Sequence, residues 1–462
     1  MDIPPLVLDR AAAAPLATQL ADALRAATLT GSLNAGDRLP STRALATALG
    51  VSRTVTSAAF DQLLAEGWVA GRRGAGTFVV AVPSAGAVPA ARSAVAPAAP
   101  TSIDLRPGVP CLAVLDRGAW RRAWRAAADE PPDVAPDPVG LPAFRAAVVA
   151  HLLRHRGLPV EPAAVLASSG TTAAVAELAR SLPAGAPVAV EEPGYQRAGE
   201  AFRAAGLTVL PAPVDRDGLV VDALPDGVAA VFCTPAHQYP LGARLSAERR
   251  VALVARARAE GFIVLEDDYD GELRYDVAPL PLLAALAPDV VVHMGTASKI
   301  LTPTLGTGWL VAPPDVRAAV LALRARTGTR PAPAGQRIFA ALAANGDLAR
   351  HLRRLRRELA DRRRVTIETV EAIGLTVRGD AAGAHIVVPL PDIFAERAVL
   401  TAAAEGDVAL DGLERHHAAA PTTFGVALGY AGHDRGELER GLSVVKTVLA
   451  GADRTRGRRG GG

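Results

Sequence analysis

The most distinctive reactive residue of the chain is a lysine. Lys299 is one of only two lysines among 462 residues, so the combined total of 50 Lys and Arg includes 48 arginines. A primary amine differs from a guanidinium because it loses its proton when desolvated and then attacks a carbonyl carbon to form a Schiff base. A genome that depletes lysine codons would also leave an isolated lysine, so the residue type alone does not establish this chemistry.

Other side chains match the needs of a cofactor that carries an aldehyde, a pyridine ring and a phosphate. Such a cofactor requires an acid at the ring nitrogen, a donor to the phenolic oxygen, an aromatic plane and a turn rich in N–H groups. The candidates for these roles are Asp267, Tyr269, Tyr195 and the turn Ser169-Gly170-Thr171. Singly, the turn could be a helix N-cap and the acidic run 266–270 a solvated loop or a metal site. Their combination with the lysine favours the cofactor.

Short apolar runs alternate with helix-length segments in the body of the chain, which is typical of an α/β domain with a parallel sheet. Ligands of such folds bind beyond the carboxyl ends of the strands. Asp267 and Lys299 each follow one of these runs, so the predicted sheet would bring them together. The predicted strands are Val188–Val190, Leu207–Leu210, Ala229–Phe232, Phe262–Leu265 and Val290–Val292.

Composition limits the class of protein. A chain of 462 residues with 50% hydrophobic content can form two or three domains with a large buried core. The formal net charge of +3 and the pI of about 9.1 exclude neither nucleic acid nor small acidic ligands. The chain has two cysteines and no segment typical of a signal peptide or a membrane span. We therefore expect a cytoplasmic protein without a disulfide framework.

Composition also divides the chain into four segments. Residues 82–102 are rich in proline and alanine and predict an extended, semi-rigid linker. This linker would separate an N-terminal unit, residues 13–81, from a large domain, residues 103–450. The last segment, residues 451–462, is basic and glycine-rich and predicts a disordered tail.

The N-terminal unit has the pattern of a winged helix-turn-helix. Pro15 begins a first helix, Ser41 caps a second that ends at Gly50, and Ser52 caps a third. The run 68–80 predicts two strands around a glycine-rich turn, which would form the wing. The predicted inward-facing residues are Leu16, Leu20, Leu24 and Leu29 on the first helix and Val55, Ala59, Phe60, Leu63 and Leu64 on the third.

A recognition helix that enters the major groove with its amino end would direct a few side chains to DNA. These are Ser52, Arg53, Thr54 and Thr56, of which Arg53 could contact a guanine edge. Backbone phosphates would be contacted by Arg43 on the preceding helix and by Arg72 and Arg73 in the wing. Three-helix units also serve as protein docking modules, and the nearly neutral charge of residues 1–80 leaves that alternative open.

The N-terminal unit closely resembles the GntR-type DNA-binding domain. The resemblance covers nearly all of residues 13–80 and implies that the partner is double-stranded operator DNA. It rests on Gly36–Ala46, Leu49–Val55, Glu66–Trp68 and Gly74–Val79.

The large domain resembles the fold-type I aminotransferases and, among them, the MocR-like regulators. The resemblance rests on Asp137–Gly140, Glu192–Tyr195, Thr234–Gly242, Leu245–Arg250, Glu266–Asp270 and Gly295–Lys299. It implies an α/β fold in which a winged helix-turn-helix precedes a large domain with a mainly parallel central sheet and a smaller C-terminal α+β part.

The same resemblance implies that the cofactor is pyridoxal 5′-phosphate, bound through a Schiff base to Lys299. Asp267 would then contact the pyridine nitrogen, Tyr269 the phenolic oxygen, and Tyr195 the ring face. His237 would lie nearby, and Arg197 would bind a carboxylate of the effector. The phosphate would be held by Ser169, Gly170, Thr171, Thr296 and Ser298.

Three departures from the family pattern affect the expected chemistry. Gly306 occupies the place, seven residues after Lys299, where the family usually carries a phosphate-binding arginine. The late strand 424–431 lacks the arginine that usually holds a substrate carboxylate, and Pro136 replaces an expected aromatic residue. A buried charge-assisted pair contributes roughly 1.5–3 kcal/mol, so its loss weakens phosphate binding at least about tenfold unless the hydroxyl groups compensate.

These observations favour a DNA-binding regulator that binds pyridoxal phosphate and senses a small amino compound, without turnover as an enzyme. Two alternatives stay open: an active transaminase with an accessory DNA-binding unit, and a regulator with a degenerate cofactor site. We expect a homodimer, because fold-type I sites form at dimer interfaces by family resemblance and one winged unit supplies few DNA contacts. No metal site is expected, and the resemblance implies a bacterial protein that lies on the nucleoid when bound to DNA.

Overall fold

The computed structural model describes residues 6–72, 75–80, 103–132, 134–276 and 280–459. These residues belong to two units, Met1–Ala98 and Ala99–Gly462. The linker predicted at 82–102 lies outside the described residues. Among the described helices none is long and apolar enough to span a membrane.

The N-terminal unit consists of three helices and a two-stranded antiparallel wing, as the sequence predicted. Its capping signals are also confirmed, because the Ser41 and Ser52 hydroxyls accept hydrogen bonds from the N–H groups of Ala44 and Val55. Gly50 closes the second helix in a left-handed conformation. The elements are α1 (Leu16–Leu29), α2 (Thr42–Leu49), α3 (Arg53–Ala65), β1 (Val69–Arg72) and β2 (Gly76–Val79).

The core of this unit contains fewer of the apolar helix residues than the sequence predicted. Leu20 and Leu24 of α1 and Phe60 and Leu63 of α3 are buried. Leu29 and Leu64, which we predicted to face inward, are exposed, with 64% and 41% of their surface accessible. Each lies outside the buried stripe of its helix, because a helical step of one residue turns a side chain by about 100°. The observed inner face of α3 begins at Thr56.

The large unit alternates strands and helices. Its elements are β3 (Ile103–Asp104), α4 (Arg117–Asp129), α5 (Pro142–Arg156), β4 (Val165–Ser168), α6 (Thr171–Ser181), β5 (Pro187–Glu192), α7 (Gln196–Ala204), β6 (Thr208–Asp215), β7 (Gly218–Leu219), β8 (Ala230–Cys233), α8 (Ala247–Glu260), β9 (Ile263–Asp267), α9 (Leu283–Leu286), β10 (Val291–Thr296), β11 (Gly308–Val311), α10 (Pro314–Thr327), α11 (Pro333–Ala344), α12 (Asp347–Glu371), β12 (His385–Pro389), α13 (Ile393–Glu405), β13 (Val408–Ala409), β14 (Asp411–Gly412), β15 (Gly425–Gly429) and α14 (Arg435–Arg459).

The central sheet has eight strands in the order β4-β11-β10-β9-β8-β5-β6-β7. Strands β10, β9, β8, β5 and β6 are parallel neighbours, and each corresponds to one of the five strands predicted from the sequence. Strand β11 is antiparallel to both β10 and β4, so β4 has the same direction as the parallel strands. The carboxyl ends of these strands therefore meet at one edge of the sheet.

Helices cover both faces of this sheet. Because successive side chains of a strand point to opposite faces, Val165 and Ala167 of β4 pack in one core layer and Leu166 in the other. The first layer contains residues of α4, α5, α8, α11 and α12, and the second contains residues of α6, α7 and α10. This two-sided burial explains the continuous apolar runs of the strands.

The smaller C-terminal part contains the antiparallel sheet β12-β15-β14 and the parallel pair β13-β3. The α+β character expected there is confirmed. Helix α14 extends to Arg459, whereas we predicted a disordered tail from residue 451. No proline interrupts 435–459, and arginine is a good helix former, so the helix continues past the predicted boundary.

Candidate functional site

One cavity of about 590 Å³ lies at the carboxyl edge of the central sheet. Loops after β4, β5, β8, β9 and β10 contribute to its walls, as does the segment 104–111 that follows β3. The predicted site residues that line it are Ser169, Gly170, Thr171, Tyr195, Arg197, Asp267, Tyr269, Thr296, Ser298 and Lys299.

Lys299 lies at the end of β10 and directs its amine into the cavity. Its Nζ donates a hydrogen bond to the carbonyl oxygen of Gly108 at 2.6 Å. Burial lowers the pKa of Lys299, while the carboxylates of Asp270 and Asp267 oppose this shift and Arg197 adds to it. Partial desolvation therefore favours the neutral, nucleophilic amine.

Asp267 ends β9 at the bottom of the cavity. Only 4% of its surface is exposed, and burial raises its pKa to about 8. Its Oδ1 atom has no partner of normal hydrogen-bond geometry among the described residues, although the nearby buried hydroxyl of Thr171 acts to lower the pKa of Asp267. A buried carboxylate oxygen without a partner is costly, so this geometry suits a ligand that offers a protonated ring nitrogen.

The other carboxylates of the run 266–270 have partners in the protein. Glu266 accepts the N–H groups of Leu283 and Ala284 at 2.8 and 3.1 Å. Asp268 receives both Nε and Nη2 of Arg156, at 2.6 and 2.8 Å. Within the described part of the chain, no cluster of His, Cys, Asp or Glu could hold a metal ion. The carboxylates of Glu266 and Asp268 are therefore already engaged by groups of the protein.

Tyr269 receives support from His237, the one predicted cofactor residue that does not line the cavity. His237 Nδ1 lies 2.9 Å from Asp270 Oδ2 and 3.1 Å from the Tyr269 hydroxyl. Because a carboxylate only accepts hydrogen bonds, the shortest contact places a proton on Nδ1. The hydroxyl oxygen of Tyr269 then faces this N–H, and its own proton is available to the cavity. Burial holds the pKa of Tyr269 well above its usual range, so the hydroxyl stays a donor.

Gly170 forms the turn between β4 and α6, where the first N–H groups of the helix face the cavity. Its φ of 116° is one that L side chains rarely adopt, and its predicted place in a phosphate-binding turn agrees with that geometry. A Cβ atom at Gly170 would lie 3.4 Å from Thr296 Oγ1 and 3.9 Å from Ser298 Oγ. These two hydroxyls are 3.0 Å apart. Backbone N–H groups and hydroxyls thus converge on a space that suits an anion.

Gly306 ends the short turn Pro303–Leu305 in a left-handed conformation, with φ of 53°. No atom lies within 4 Å of the position that a Cβ would take, so the site has room for a side chain. Position 306, where the family usually carries a phosphate-binding arginine, therefore carries no cation.

Aromatic residues form one wall of the cavity. The hydroxyl of Tyr195 lies 2.9 Å from Thr172 Oγ1, which fixes the ring near the phosphate turn. Tyr239 packs edge-on against both Tyr195 and Tyr269, with ring centroids 6.1 Å apart in each pair. Tyr239 belongs to the motif Thr234–Gly242 but was not predicted to be a site residue.

Three arginines line the cavity, and one of them, Arg106, is already paired with Asp104 at 2.6 Å. The other two come from different parts of the chain. Arg197 is exposed at the start of α7 and makes no ion pair within the described part of the chain. Arg415 belongs to the turn between β14 and β15, and its Nε lies 2.5 Å from Oδ1 of the buried Asp411. The sequence predicted Arg197 but missed Arg415, because an arginine was expected on the late strand itself. The run of charged and polar residues that precedes β15 was the sequence signal that could have predicted the place of Arg415 in the cavity.

The N-terminal unit exposes most of the predicted DNA-contacting residues. Ser52, Arg53 and Thr54 are exposed at the amino end of α3, and Arg43 is exposed on α2. Arg72 is exposed in the wing, with its guanidinium 4.7 Å from the centre of the Phe78 ring. Arg73 lies outside the described residues.

Thr56 corrects one of these predictions. It is fully buried, and its hydroxyl donates to the carbonyl oxygens of Thr42 at 2.9 Å and Arg53 at 3.0 Å. Thr56 therefore joins α2 to α3 and does not present its hydroxyl to DNA. Its spacing from Ala59, Phe60 and Leu63 is that of one helical face, which is the signal that would have predicted burial.

Comparison with known families agrees with both units. The chain matches the family of bacterial regulatory proteins of the gntR type over residues 16–79 and the aminotransferase class I and II family over residues 103–444. A DNA-binding winged helix-turn-helix joined to an aminotransferase-like domain defines a class of transcriptional regulators. The chain belongs to this class, in the MocR-like family of regulators.

Individual relatives share this organisation over nearly their whole length. The HTH-type pyridoxine biosynthesis transcriptional regulator PdxR of Corynebacterium glutamicum is 35% identical, with 96% of this chain and 98% of that protein covered. The probable rhizopine catabolism regulatory protein MocR of Rhizobium meliloti is 32% identical, with 96% of each chain covered. Among solved structures, the α-aminoadipate aminotransferase LysN of Thermus thermophilus superposes with a TM-score of 0.70 at 23% identity, over 77% of this chain and 94% of LysN.

Pyridoxal phosphate is the cofactor that the aminotransferase family indicates, and the residues of the cavity fit it. The partnerless oxygen of Asp267 suits a ring N–H, and the amine of Lys299 suits the aldehyde. The hydroxyls of Thr296 and Ser298, with the turn at Gly170, suit the phosphate, although position 306 carries a glycine where the family usually carries an arginine.

Proposed function

We propose that this DNA-binding regulator uses the cavity to sense a small amino carboxylate in the presence of pyridoxal phosphate. The observation that carries this proposal is the convergence of one reactive amine, Lys299, with Arg197 and Arg415, two of the three arginines that line the cavity. Amine chemistry would recognise the amino group of the effector, and the arginines would recognise its carboxylate.

Bound pyridoxal phosphate would supply an aldehyde that reacts reversibly with amines. Lys299 would provide the resident amine, and the carboxylate of Asp267 would keep a proton on the ring nitrogen. Tyr269 would donate its hydroxyl proton to the phenolic oxygen, with His237 and Asp270 fixing the orientation of the ring. Tyr195 would cover one face of the cofactor.

The carboxylate of the effector would be held by Arg197 and Arg415. Arg197 has no competing partner among the described residues, whereas Arg415 is oriented by the buried Asp411. A planar guanidinium binds a carboxylate through two parallel hydrogen bonds, which gives both affinity and orientation. The late strand β15 contributes no arginine, so this carboxylate grip differs from the one expected for a transaminase. The difference favours sensing over turnover.

A backbone contact offers a route from the cavity towards the linker. Lys299 donates to Gly108, which lies five residues after Ile103, the first described residue that follows the predicted linker. Lys299 cannot keep this hydrogen bond while its nitrogen is displaced towards another partner in the cavity. Loss of the bond would release Gly108 from Lys299, while Leu105 stays paired with Ala409 and Gly429. A ligand that favours this state shifts the equilibrium only by its preference for it.

We further propose that the regulator is a homodimer bound to two operator half-sites. A single winged unit supplies few contacts, and two-fold symmetric proteins bind repeated half-sites with much greater specificity. Light scattering of the purified protein at micromolar concentration should give the mass of a dimer. A monomeric mass would contradict this part of the proposal.

Measurement of operator affinity would test the sensing function. The operator would first be selected from a random duplex library with the full-length protein, and its affinity measured with pyridoxal phosphate and a panel of amino carboxylates. We expect at least one of them to change the affinity of the wild type, and Arg415→Ala to require at least about tenfold more of it. Arg180→Ala, on the exposed surface of α6, is the matched control and should respond as the wild type.

The relationship to PdxR of Corynebacterium glutamicum favours a second candidate. That relative is a regulator of pyridoxine biosynthesis, and the missing arginine at position 306 would make the cofactor easy to exchange. We therefore also propose pyridoxal phosphate itself as the sensed ligand. In that case pyridoxal phosphate alone would change operator affinity, and no amino carboxylate would add to the effect.

A further inference from the structure

The large unit carries a concentrated basic surface on one side of its central sheet. Helix α4 exposes Arg117, Arg121, Arg122 and Arg125. Three of these, at positions 117, 121 and 125, are spaced four residues apart and therefore lie along one face of the helix. A helix face with three aligned guanidinium groups can bind an anionic partner, unless neighbouring acidic residues neutralise its charge.

The first three turns of α12 extend this surface. Arg350, Arg353 and Arg357 are exposed there, and Arg354 is half-buried. The two helices are tied together by the buried Asp347, which receives Arg122 at 3.2 Å and Arg350 at 2.7 Å. Helix α11 packs against both α4 and α12. We call the exposed arginines of α4 and of residues 347–357 the basic face.

Acidic residues neutralise only part of this surface: Asp116, the N-cap residue of α4, interacts electrostatically with Arg122 and Arg354. Helix α4 and residues 347–357 together contain nine arginines and two aspartates, a formal charge of +7, whereas the whole chain carries +3. One of the two aspartates, Asp347, is already paired with two arginines. Among the described residues, no ion pair engages Arg117, Arg121, Arg125, Arg353 or Arg357.

The DNA-binding unit has much less positive charge than the basic face. Residues 1–80 contain seven arginines, no lysine and six acidic residues, a formal charge of +1. One of those arginines, Arg25, is paired with Asp22 at 2.7 Å. Neutralisation of phosphates by Lys and Arg supplies most of the sequence-independent affinity for DNA. A unit with so little net charge obtains little affinity in this way, although its partner is a polyanion.

We propose that the basic face binds the phosphate backbone of duplex DNA next to the operator half-site. Guanidinium forks match phosphate geometry, and their contacts do not depend on base sequence. The winged unit would then select the sequence, while the large unit would supply electrostatic affinity. This inference depends on DNA binding alone and holds whether or not the cavity senses an effector.

The salt dependence of DNA binding tests this proposal. Affinity of the full-length protein for a fluorescent 40-base-pair duplex of mixed sequence would be measured from about 50 to 200 mM salt by anisotropy. Removal of two phosphate contacts in Arg121→Gln/Arg125→Gln should lower affinity roughly tenfold and reduce the slope of log K against log salt by about 1.8. Both residues are exposed and unpaired, so circular dichroism and the melting temperature should stay those of the wild type.

Arg180→Gln is the matched control, since it removes one exposed arginine from α6, in the core layer on the other face of the sheet. It should change affinity less than twofold and leave the slope unchanged. Equal affinity and slope for the double variant and the wild type would overturn the proposal, and would point to an acidic protein surface as the partner. A loss of affinity with an unchanged slope would also overturn it, because phosphate contacts must release counterions.

Discussion

The two ends of the cavity differ in how strongly they are built to hold a charged ligand. At the ring end, Lys299, Asp267 and Tyr269 are desolvated, and each has a shifted pKa. At the phosphate end, the groups are N–H donors and hydroxyls around Gly170, and position 306 carries no cation. In the proposed binding mode, the site would therefore favour amine and ring chemistry over retention of the cofactor.

The two ends of the cavity would therefore have different roles: the ring end would recognise the ligand, and the phosphate end would determine how tightly the cofactor is retained. A transaminase benefits from a permanently bound cofactor, because each turnover needs it. A sensor benefits from a ligand that exchanges on the timescale of its signal, since its occupancy must follow concentration. A strong ring end with a weak phosphate end therefore agrees better with sensing, and variants at the two ends should behave differently.

Loss of the amine at the ring end should have the largest effect. In Lys299→Ala we expect no visible absorption band from cofactor bonded to the protein, because no other amine lines the described cavity. Lys446→Ala, the only other lysine and exposed on α14, is the matched control and should keep the band. Absorbance spectra with added pyridoxal phosphate measure this. The same band in Lys299→Ala would show that the cofactor bonds elsewhere.

Removal of the buried carboxylate should change stability with pH. The folded-state pKa of Asp267, about 8, exceeds an unfolded value of about 3.9. Between these values the unfolded chain has released a proton that the folded protein still binds, so stability falls as pH rises. Relative to Asp267→Asn, the cofactor-free wild type should lose about 1.4 kcal/mol of unfolding free energy per pH unit between pH 5 and 7, with no further loss above about pH 8.

Denaturant titrations of cofactor-free protein at pH 5, 6, 7 and 8 would measure this difference. Asp267→Asn should at the same time bind pyridoxal phosphate at least about tenfold more weakly, because the charged hydrogen bond to the ring is lost. Parallel pH profiles for the two proteins would mean that Asp267 is not kept protonated by burial.

Much of the fold follows from local signals in the sequence. Ser41 and Ser52 cap their helices because their hydroxyls replace missing backbone acceptors, and that chemistry is visible in the residue types. The five parallel strands were predicted because burial on both faces requires continuous apolar runs. Helix ends that depend on weak residue propensities were harder to predict, as the extension of α14 beyond residue 451 shows.

The site was predictable where its residues follow strands in a known order. Asp267 and Lys299 were found in this way. Arg415 was missed because it reaches the cavity through packing of the C-terminal part, which no local periodicity encodes. Thr56 was assigned wrongly for a different reason: a hydroxyl near a helix start was given a DNA-binding role although its spacing indicated burial.

Restoration of a cation at the phosphate end should strengthen it. Position 306 has room for a side chain, because no atom lies within 4 Å of the place that a Cβ would take. The resemblance to the family places the phosphate-binding arginine at this position. Its left-handed backbone costs about 1–2 kcal/mol, against roughly 1.5–3 kcal/mol gained from a charged hydrogen bond. Fluorescence titration should show Gly306→Arg binding pyridoxal phosphate up to about tenfold more tightly than Gly306→Ala, which carries the backbone cost alone. Equal affinities would place the phosphate elsewhere.

Removal of one hydroxyl at the phosphate end should have the smallest effect. Ser298→Ala deletes a neutral donor whose oxygen also accepts from Thr296, and a neutral hydrogen bond contributes about 0.5–1.5 kcal/mol. We expect a two- to tenfold loss of pyridoxal phosphate affinity, measured by the same titration. In the Gly306→Arg background the loss should shrink, because an arginine would take over part of the anion's solvation and the two effects would not add. A loss from Ser298→Ala as large as that from Asp267→Asn would remove the contrast between the two ends, since the neutral groups would then hold the cofactor as firmly as the buried charge does.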